Sequence, residues 1–97
     1  MQLDYATRDL ERVCTNARRM QAAYGEIVAK KLKLRLAELS YVDEMADVLG
    51  GRGRWEELTG DRAGQWSARL TANWRLIVRP EKRDVITAVI VEIIDYH

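Results

Sequence analysis

The chain has only one cysteine, one histidine and one proline among its 97 residues, and it has no phenylalanine. With the single cysteine Cys14, no disulfide can form within the chain, and one histidine besides is too few for a Cys/His zinc site. The lone thiol also favours a reducing compartment. The composition therefore excludes a disulfide-stapled secreted domain and a small zinc-bound domain.

Several familiar motifs are missing as well. The segment "VLGGRGRW" lacks the Lys-Ser/Thr of a phosphate-binding loop, and the chain has neither a nucleophile elbow nor a spaced histidine pair. No segment is apolar enough for a signal peptide or a bilayer span. We therefore expect a cytoplasmic protein with no metal, no cofactor and no membrane contact, whose chemistry uses arginine, tyrosine, carboxylates and one histidine.

Residues 1–97 are predicted to form one domain, since this length supports a single hydrophobic core. The net charge is only +1, but the region 52–79 is basic. Its cations are all arginine: Arg52, Arg54, Arg62, Arg69, Arg75 and Arg79. Arginine's planar fork suits bidentate phosphate contacts. A solvated sheet surface with alternating charges explains the same pattern, and composition does not decide between the two.

The first half of the chain has helical spacing after a short strand in "MQLDY". Thr7 is predicted to cap a first helix that Gly25 ends. A second helix is predicted from Glu26, with a buried stripe that excludes Arg35, followed by a short helical piece in 40–49. That stripe is Val28, Leu32, Leu36 and Leu39. Tyr24 and Tyr41 fall in helical stripes and are assigned to the core.

The second half has the two-residue period of strands. Strands are predicted in "RWEEL", "QWSARL", "WRLIVR" (ended by Pro80) and from Val85 to Tyr96. Trp66 and Trp74 face inward by alternation, whereas Trp55 is undecided. The predicted fold is α+β, with two N-terminal helices packed on a small antiparallel sheet. Ser67, Arg69, Arg75 and Arg79 share the other face of that sheet.

Metal-free RNA cleavage fits this set of residues. The ribose 2′-hydroxyl is itself the nucleophile, so the protein need supply only a base, an acid and cations around the phosphate. General acid–base groups and fixed guanidinium donors provide these. His97 is the natural proton carrier, and Tyr96 and Asp95 lie beside it in the sequence.

The segments "ELTGDRAGQWSARL", "NWRLIV" and "VEIIDYH" resemble the HigB branch of the RelE/ParE toxin superfamily of toxin–antitoxin systems. The resemblance covers residues 54–97, and "AYG" and "KKLKLRLAEL" extend it into the helical half. It implies a microbial-RNase-like fold and a toxin that cuts mRNA on the translating ribosome. It also implies a HigA-like helix-turn-helix antitoxin as partner, in a toxin–antitoxin hetero-oligomer.

The resemblance also implies site residues. Asp95, Tyr96 and His97 would line the cleavage site, with Arg75 and Arg62 as phosphate or transition-state partners. Strand alternation, and not the resemblance, predicts Arg69 as a further RNA contact, and Arg54 and Arg79 complete the predicted RNA-binding set. Glu56 occupies the position at which the family has a histidine, and Thr59 occupies a position that is usually basic. Glutamate can act as a base, but it also repels phosphate.

Three interpretations remain open. The first is a ribosome-dependent endoribonuclease. The second is a ParE-like inhibitor that binds DNA gyrase, which the terminal Asp-Tyr-His disfavours. The third is a weakened or inactive member that mainly binds its antitoxin, which Glu56 and Thr59 favour.

Overall fold

The computed structural model describes residues 1–96. Helices and strands follow one another in the order β1 (Gln2–Tyr5), α1 (Arg8–Cys14), α2 (Ala17–Tyr41), a 3₁₀ turn (Met45–Val48), β2 (Glu56–Glu57), a second 3₁₀ turn (Gly60–Arg62), β3 (Trp66–Arg69), β4 (Trp74–Lys82) and β5 (Ile86–Asp95). Two helices packed on one sheet confirm the predicted α+β fold class. Neither helix within residues 1–96 has the length and apolar character needed to cross a membrane.

Polar side chains set the starts of both helices. The Thr7 hydroxyl accepts a hydrogen bond from the Leu10 N–H at 3.1 Å, which confirms the predicted cap. Asn16 caps α2 in the same way, through the Arg19 N–H at 3.1 Å. The predicted first helix is therefore divided near residue 16, because the asparagine side chain competes for backbone donors. Gly25, with φ 84° and ψ 167°, interrupts the helical geometry inside α2, where a break was predicted.

The inward face of α2 carries the predicted stripe, and all four of its members are buried. The assignment of Tyr41 to the core is wrong, since this side chain is 89% exposed. At about 100° per residue, Tyr41 lies about 200° around the helix from buried Leu39. The exclusion of Arg35 from the buried face is wrong too, because Arg35 is buried. Tyr24 is half-buried, and its ring packs edge-on against Trp74 with 5.6 Å between centroids.

The sheet has the strand order β1-β5-β4-β3-β2. Strands β2 to β5 pair antiparallel, as expected, while β1 lies parallel to β5. Parallel pairing requires a crossover connection, and α1 and α2 belong to the connection between these two strands. The sheet is therefore mixed, with its first and last strands side by side.

Strand β4 continues through Pro80 to Lys82, so the prediction that Pro80 ends the strand is wrong. Pro80 pairs with Ala88 of β5, but β3 pairs with β4 no farther than Val78. At Pro80 the strand therefore has a neighbour on one side only. Proline has no backbone N–H to donate, so it is tolerated at a position where the strand has no second neighbour.

Alternate residues along the strands define two faces of the sheet. One face packs on α2 through side chains such as Leu76, Val78 and Ile90. Trp66 is buried on this face and Trp74 packs partly buried against it, as predicted. Trp55, which the sequence pattern left undecided, is also buried in the core. We call the other side the arginine face. By strand register it carries Glu56, Ser67, Arg69, Arg75, Ile77, Arg79, Val89 and Glu92.

Candidate functional site

Five residues of the arginine face and its edge line one pocket of about 160 Å³. We call it the arginine pocket; its lining residues are Arg54, Glu56, Ser67, Arg69 and Arg75. Glu56 pairs with Ser67 across β2 and β3, and Arg69 pairs with Arg75 across β3 and β4. The pocket lining thus contains one acidic residue and three arginines. Such an excess of fixed positive charge favours binding of a phosphate.

The short β2 edge places two of these side chains. Arg54 has φ 49°, in the left-handed region that residues other than glycine seldom adopt. The carbonyl before it, that of Gly53, accepts a hydrogen bond from the Arg69 N–H at 2.8 Å. This bond extends the pairing of the β2 edge with β3 toward Gly53. Arg54 and Glu56 are therefore held beside Arg69.

Arg75 is fixed by the turn between β3 and β4. Its Nη1 donates to the carbonyl oxygens of Thr71 at 2.8 Å, Trp74 at 3.0 Å and Ala72 at 3.2 Å. Its guanidinium carbon also lies 5.8 Å from the centre of the Tyr96 ring, within cation–π range. The structure therefore brings together Arg75 and Tyr96, two of the predicted catalytic residues.

The three residues of the predicted terminal triplet, Asp95, Tyr96 and His97, differ in how the structure places them. The Tyr96 N–H donates to the Asn73 carbonyl at 2.7 Å, which ties this end of the chain to the same turn. Asp95 pairs with Trp74 at the end of β5, so by register it belongs to the face opposite Arg75. His97 lies outside the described residues. The catalytic roles of all three stay predictions.

Arg62 does not line the arginine pocket. Its Nη2 makes an ion pair with Glu92, and its Nη1 donates to Gln65 Oε1 at 2.8 Å. Glu92 is opposite Ile77, which is opposite Ser67, which in turn is opposite Glu56. The two glutamates thus share one row of the arginine face, about 14 Å apart at ordinary strand spacing.

Arg79 belongs to a separate network at the far end of β4. Four residues along a strand separate it from Arg75 by about 13 Å. Arg79 bonds Glu81 at 2.7 Å, and Arg83 bonds both Glu81 and Asp4. Hydrogen bonds from Arg79 and then Arg83 lower the pKa of Glu81, and the hydrogen bond from Arg83 lowers the pKa of Asp4. Arg79 is therefore not part of the arginine pocket in this structure.

Sequence reasoning missed two residues of this region. Ser67 is 2% exposed and lines the pocket between Glu56 and the β4 strand. Glu92 brings a second acid to the arginine face as the partner of Arg62. Alternation placed Ser67 on this face but gave it no role. Glu92 would have been assigned to the core face with Ala88 and Ile90, and it reaches the arginine face because the register shifts by one residue between Ile90 and Glu92. Thr59, at the start of the second 3₁₀ turn, does not line the pocket.

The described residues hold neither a cluster of metal ligands nor a reactive thiol. Within residues 1–96, no three His, Cys, Asp or Glu side chains lie together in a group that could hold a metal ion. Burial raises the pKa of the Cys14 thiol to about 11. Only the thiolate is a nucleophile, so this cysteine is inert at neutral pH.

Comparison with known proteins gives a fold and no close relative. No family model matches the chain, and no curated protein matches it. Among solved structures, the YoeB/ParE toxin from Agrobacterium tumefaciens is 20% identical with a TM-score of 0.71, over 100% of this chain and 99% of that one.

Two further structures agree. The YoeB–YefM complex from Staphylococcus aureus is 18% identical with a TM-score of 0.65, over 100% of this chain and 97% of that one. YafQ from E. coli strain BL21(DE3) is 14% identical with a TM-score of 0.61, over 97% and 91%. The chain therefore has the fold of RelE/ParE-like toxins. Its likeness to the HigB branch rests on the sequence segments alone.

Proposed function

We propose that this protein is the toxin of a type II toxin–antitoxin pair and that it cuts mRNA on the ribosome without a metal ion. The observation that carries the proposal is Glu56, one carboxylate placed among three arginines in a single pocket. A base beside fixed cations is what transfer of the 2′-hydroxyl proton requires. The toxin fold supports the same assignment.

The roles follow from position and chemistry. Glu56 takes the proton from the ribose 2′-hydroxyl, whose oxygen attacks phosphorus. Arg54, Arg69 and Arg75 stabilise the charge that develops on the phosphate oxygens. The bond from phosphorus to the 5′-oxygen breaks, and the departing oxygen receives a proton from His97. The products are a 2′,3′-cyclic phosphate and a 5′-hydroxyl end.

The arrangement answers the objection that a glutamate repels RNA. A single carboxylate among three guanidinium groups leaves the pocket with excess positive charge. Since Glu56 starts strand β2 and is opposite Ser67, its backbone is held by the sheet. Glu56 therefore acts as base without making the pocket anionic.

Glu56→Gln tests the proposal, with Glu57→Gln as the matched control. Glu57 is the next residue, pairs with Trp66, and does not line the pocket. Each protein is expressed without antitoxin, and new mRNA 5′ ends are mapped on translating ribosomes. We expect cuts at ribosomal A-site positions for the wild type and for Glu57→Gln, and a loss of about 10²–10⁴-fold for Glu56→Gln. Equal cutting by Glu56→Gln would refute the role of Glu56.

The acid role of His97 is tested in the same assay. His97→Ala should lose cleavage while it retains its fold and antitoxin binding. Growth arrest without cuts would instead indicate a gyrase inhibitor. Neither arrest nor cuts would indicate a protein that only binds its antitoxin.

The proposed partner is an antitoxin, and the resemblance to HigB points to a HigA-like helix-turn-helix protein. The Staphylococcus aureus neighbour was solved as a YoeB–YefM complex and as a heterotetrameric toxin–antitoxin complex, which supports a hetero-oligomer here. Co-expression with a candidate helix-turn-helix antitoxin, followed by size-exclusion chromatography, tests the pairing. We place the assembly in the cytoplasm, where translating ribosomes are found.

A further inference from the structure

Arg35 is a buried cation on α2, and it is 7% exposed. Its Nη1 lies 2.7 Å from Glu38 Oε1, one turn along α2. This contact lacks hydrogen-bond geometry, and the Arg35 Nε has no hydrogen-bond partner among the residues described. Glu38 is partly exposed, so only the Arg35 end of the pair is buried. A buried cation with unsatisfied donors adds little to stability, because desolvation offsets the attraction between the charges. Stability alone therefore does not explain this guanidinium.

The same two residues contact the segment that leads into β2. Glu38 Oε1 accepts a hydrogen bond from the Trp55 indole N–H at 3.3 Å. The backbone of Gly53 passes so close that a Cβ there would lie 2.6 Å from Arg35 Nη1 and 2.6 Å from Trp55 Nε1. Only glycine fits this gap without displacement of its neighbours. Helix α2 is thus in direct contact with the backbone just before Arg54.

Gly53 is held on its other side by the sheet. Its carbonyl accepts the Arg69 N–H at 2.8 Å. The peptide is therefore clamped between the Arg35 and Trp55 side chains and the backbone of a pocket residue. Arg54, in its left-handed conformation, follows directly, and Glu56 follows two residues later.

We infer that Arg35 is a positioning residue, which with Glu38 and Trp55 fixes the Gly53 peptide and so sets the positions of Arg54 and Glu56 in the arginine pocket. Arg35 does not line the pocket, so its role is to position residues that do. The inference rests on the proposed function only where cleavage is the readout. A misplacement of about 1 Å in a catalytic group can cost about 10²-fold in rate.

Arg35→Met is the direct test, because methionine fills similar space but lacks the charge and the hydrogen-bond donors of the guanidinium group. Lys33→Met is its matched control, since Lys33 is an exposed cation on the same helix. The first measurement is amide hydrogen exchange and needs no RNA. The Arg69 amide should exchange about tenfold faster in Arg35→Met, because its acceptor peptide has been released, with no change at the centres of β4 and β5. Lys33→Met should match the wild type at every amide.

The second measurement is cleavage on ribosomes. For Arg35→Met we expect kcat to fall by about 10- to 100-fold with KM changed less than about threefold, because the base is misplaced while the ribosome still binds. Gly53→Ala should have the same effects on exchange and kcat, since it disturbs the contact from the other side. If the wild type does not cleave, the proposed function fails and exchange alone decides the positioning role.

Two results would overturn the inference. One is unchanged Arg69 exchange in Arg35→Met. The other is global unfolding of Arg35→Met, which would assign Arg35 to core stability instead.

Discussion

Arg75 is expected to stabilise the fold as well as to bind phosphate. Unfolding of the Arg75→Met protein in the absence of RNA measures the first effect alone. Its Nη1 contacts three carbonyl oxygens of the β3–β4 turn, and its guanidinium carbon lies 5.8 Å from the centre of the Tyr96 ring. One nitrogen carries only two hydrogens, so the three contacts count as about two shared bonds. Because Arg75 is only half-buried, we assign these hydrogen bonds together about 1.5 kcal/mol of unfolding free energy, the low end of the range for hydrogen bonds to charged groups.

The contact with Tyr96 adds about 0.5 kcal/mol, since this ring is 44% exposed. Arg75→Met should therefore lose about 2 kcal/mol of unfolding free energy. For a domain of this size, this loss corresponds to a fall in Tm of about 8–16 °C. Thermal unfolding followed by circular dichroism measures it directly.

Arg79→Met is the matched control on the same face of β4. Arg79 makes a partly exposed ion pair with Glu81, and such pairs contribute about 0–1 kcal/mol. The Tm of the Arg79→Met protein should therefore fall by less than about half of the fall expected for Arg75→Met. If the two variants melt at the same temperature, the turn contacts of Arg75 carry no special stability and the reasoning is refuted.

Three other predictions concern the core and the ion pairs. Cys14 should react with iodoacetamide at pH 8 about 100-fold or more slowly than an exposed cysteine, because burial raises its pKa to about 11; fast labelling of the native protein would contradict this. Hydrogen bonds from arginine lower the pKa values of Asp4 and Glu81 in the folded protein below their ordinary values of 3.8 and 4.5. The two carboxylates therefore contribute to folding stability at pH values above these ordinary pKa values, and that contribution is lost as the pH falls through their lower pKa values in the folded state. Arg83→Met should therefore reduce the loss of Tm between about pH 5 and pH 3, and an unchanged acid profile would refute the linkage. Leu32→Ala should lose about 2–5 kcal/mol in urea unfolding, because the side chain is fully buried; a loss below about 1 kcal/mol would show that α2 does not pack as described.

Periodicity predicted the layers of this fold because burial follows side-chain direction in helices and strands. The α2 stripe and the inward tryptophans are where that rule put them. The parallel pairing of β1 with β5 was not predictable in this way. Alternation indicates on which face of the sheet a side chain lies, but it does not indicate which strand is the neighbour. Pro80 was misassigned for a related reason, because the number of neighbours of a strand is a property of the whole sheet.

The candidate site was predictable in part. Alternation and the resemblance together selected four of the five residues that line the arginine pocket, while Ser67 was placed on the correct face without a role. Arg35 has the spacing of the buried stripe, three residues after Leu32 and four before Leu39, but its charge led to its exclusion. Glu92 as partner of Arg62 was not predictable from local spacing, because 30 residues separate the two.

If the arginine pocket cuts RNA through the ribose 2′-hydroxyl, as we propose, cleavage must depend on that hydroxyl alone. Ribosomes stalled on an mRNA are treated with the purified protein, and the A-site nucleotide at the scissile bond is either ribose or 2′-deoxyribose. We expect cleavage of the all-ribose mRNA to a 2′,3′-cyclic phosphate, and no cleavage where the hydroxyl is missing. Cleavage of the 2′-deoxy mRNA, or no cleavage of either, would contradict it.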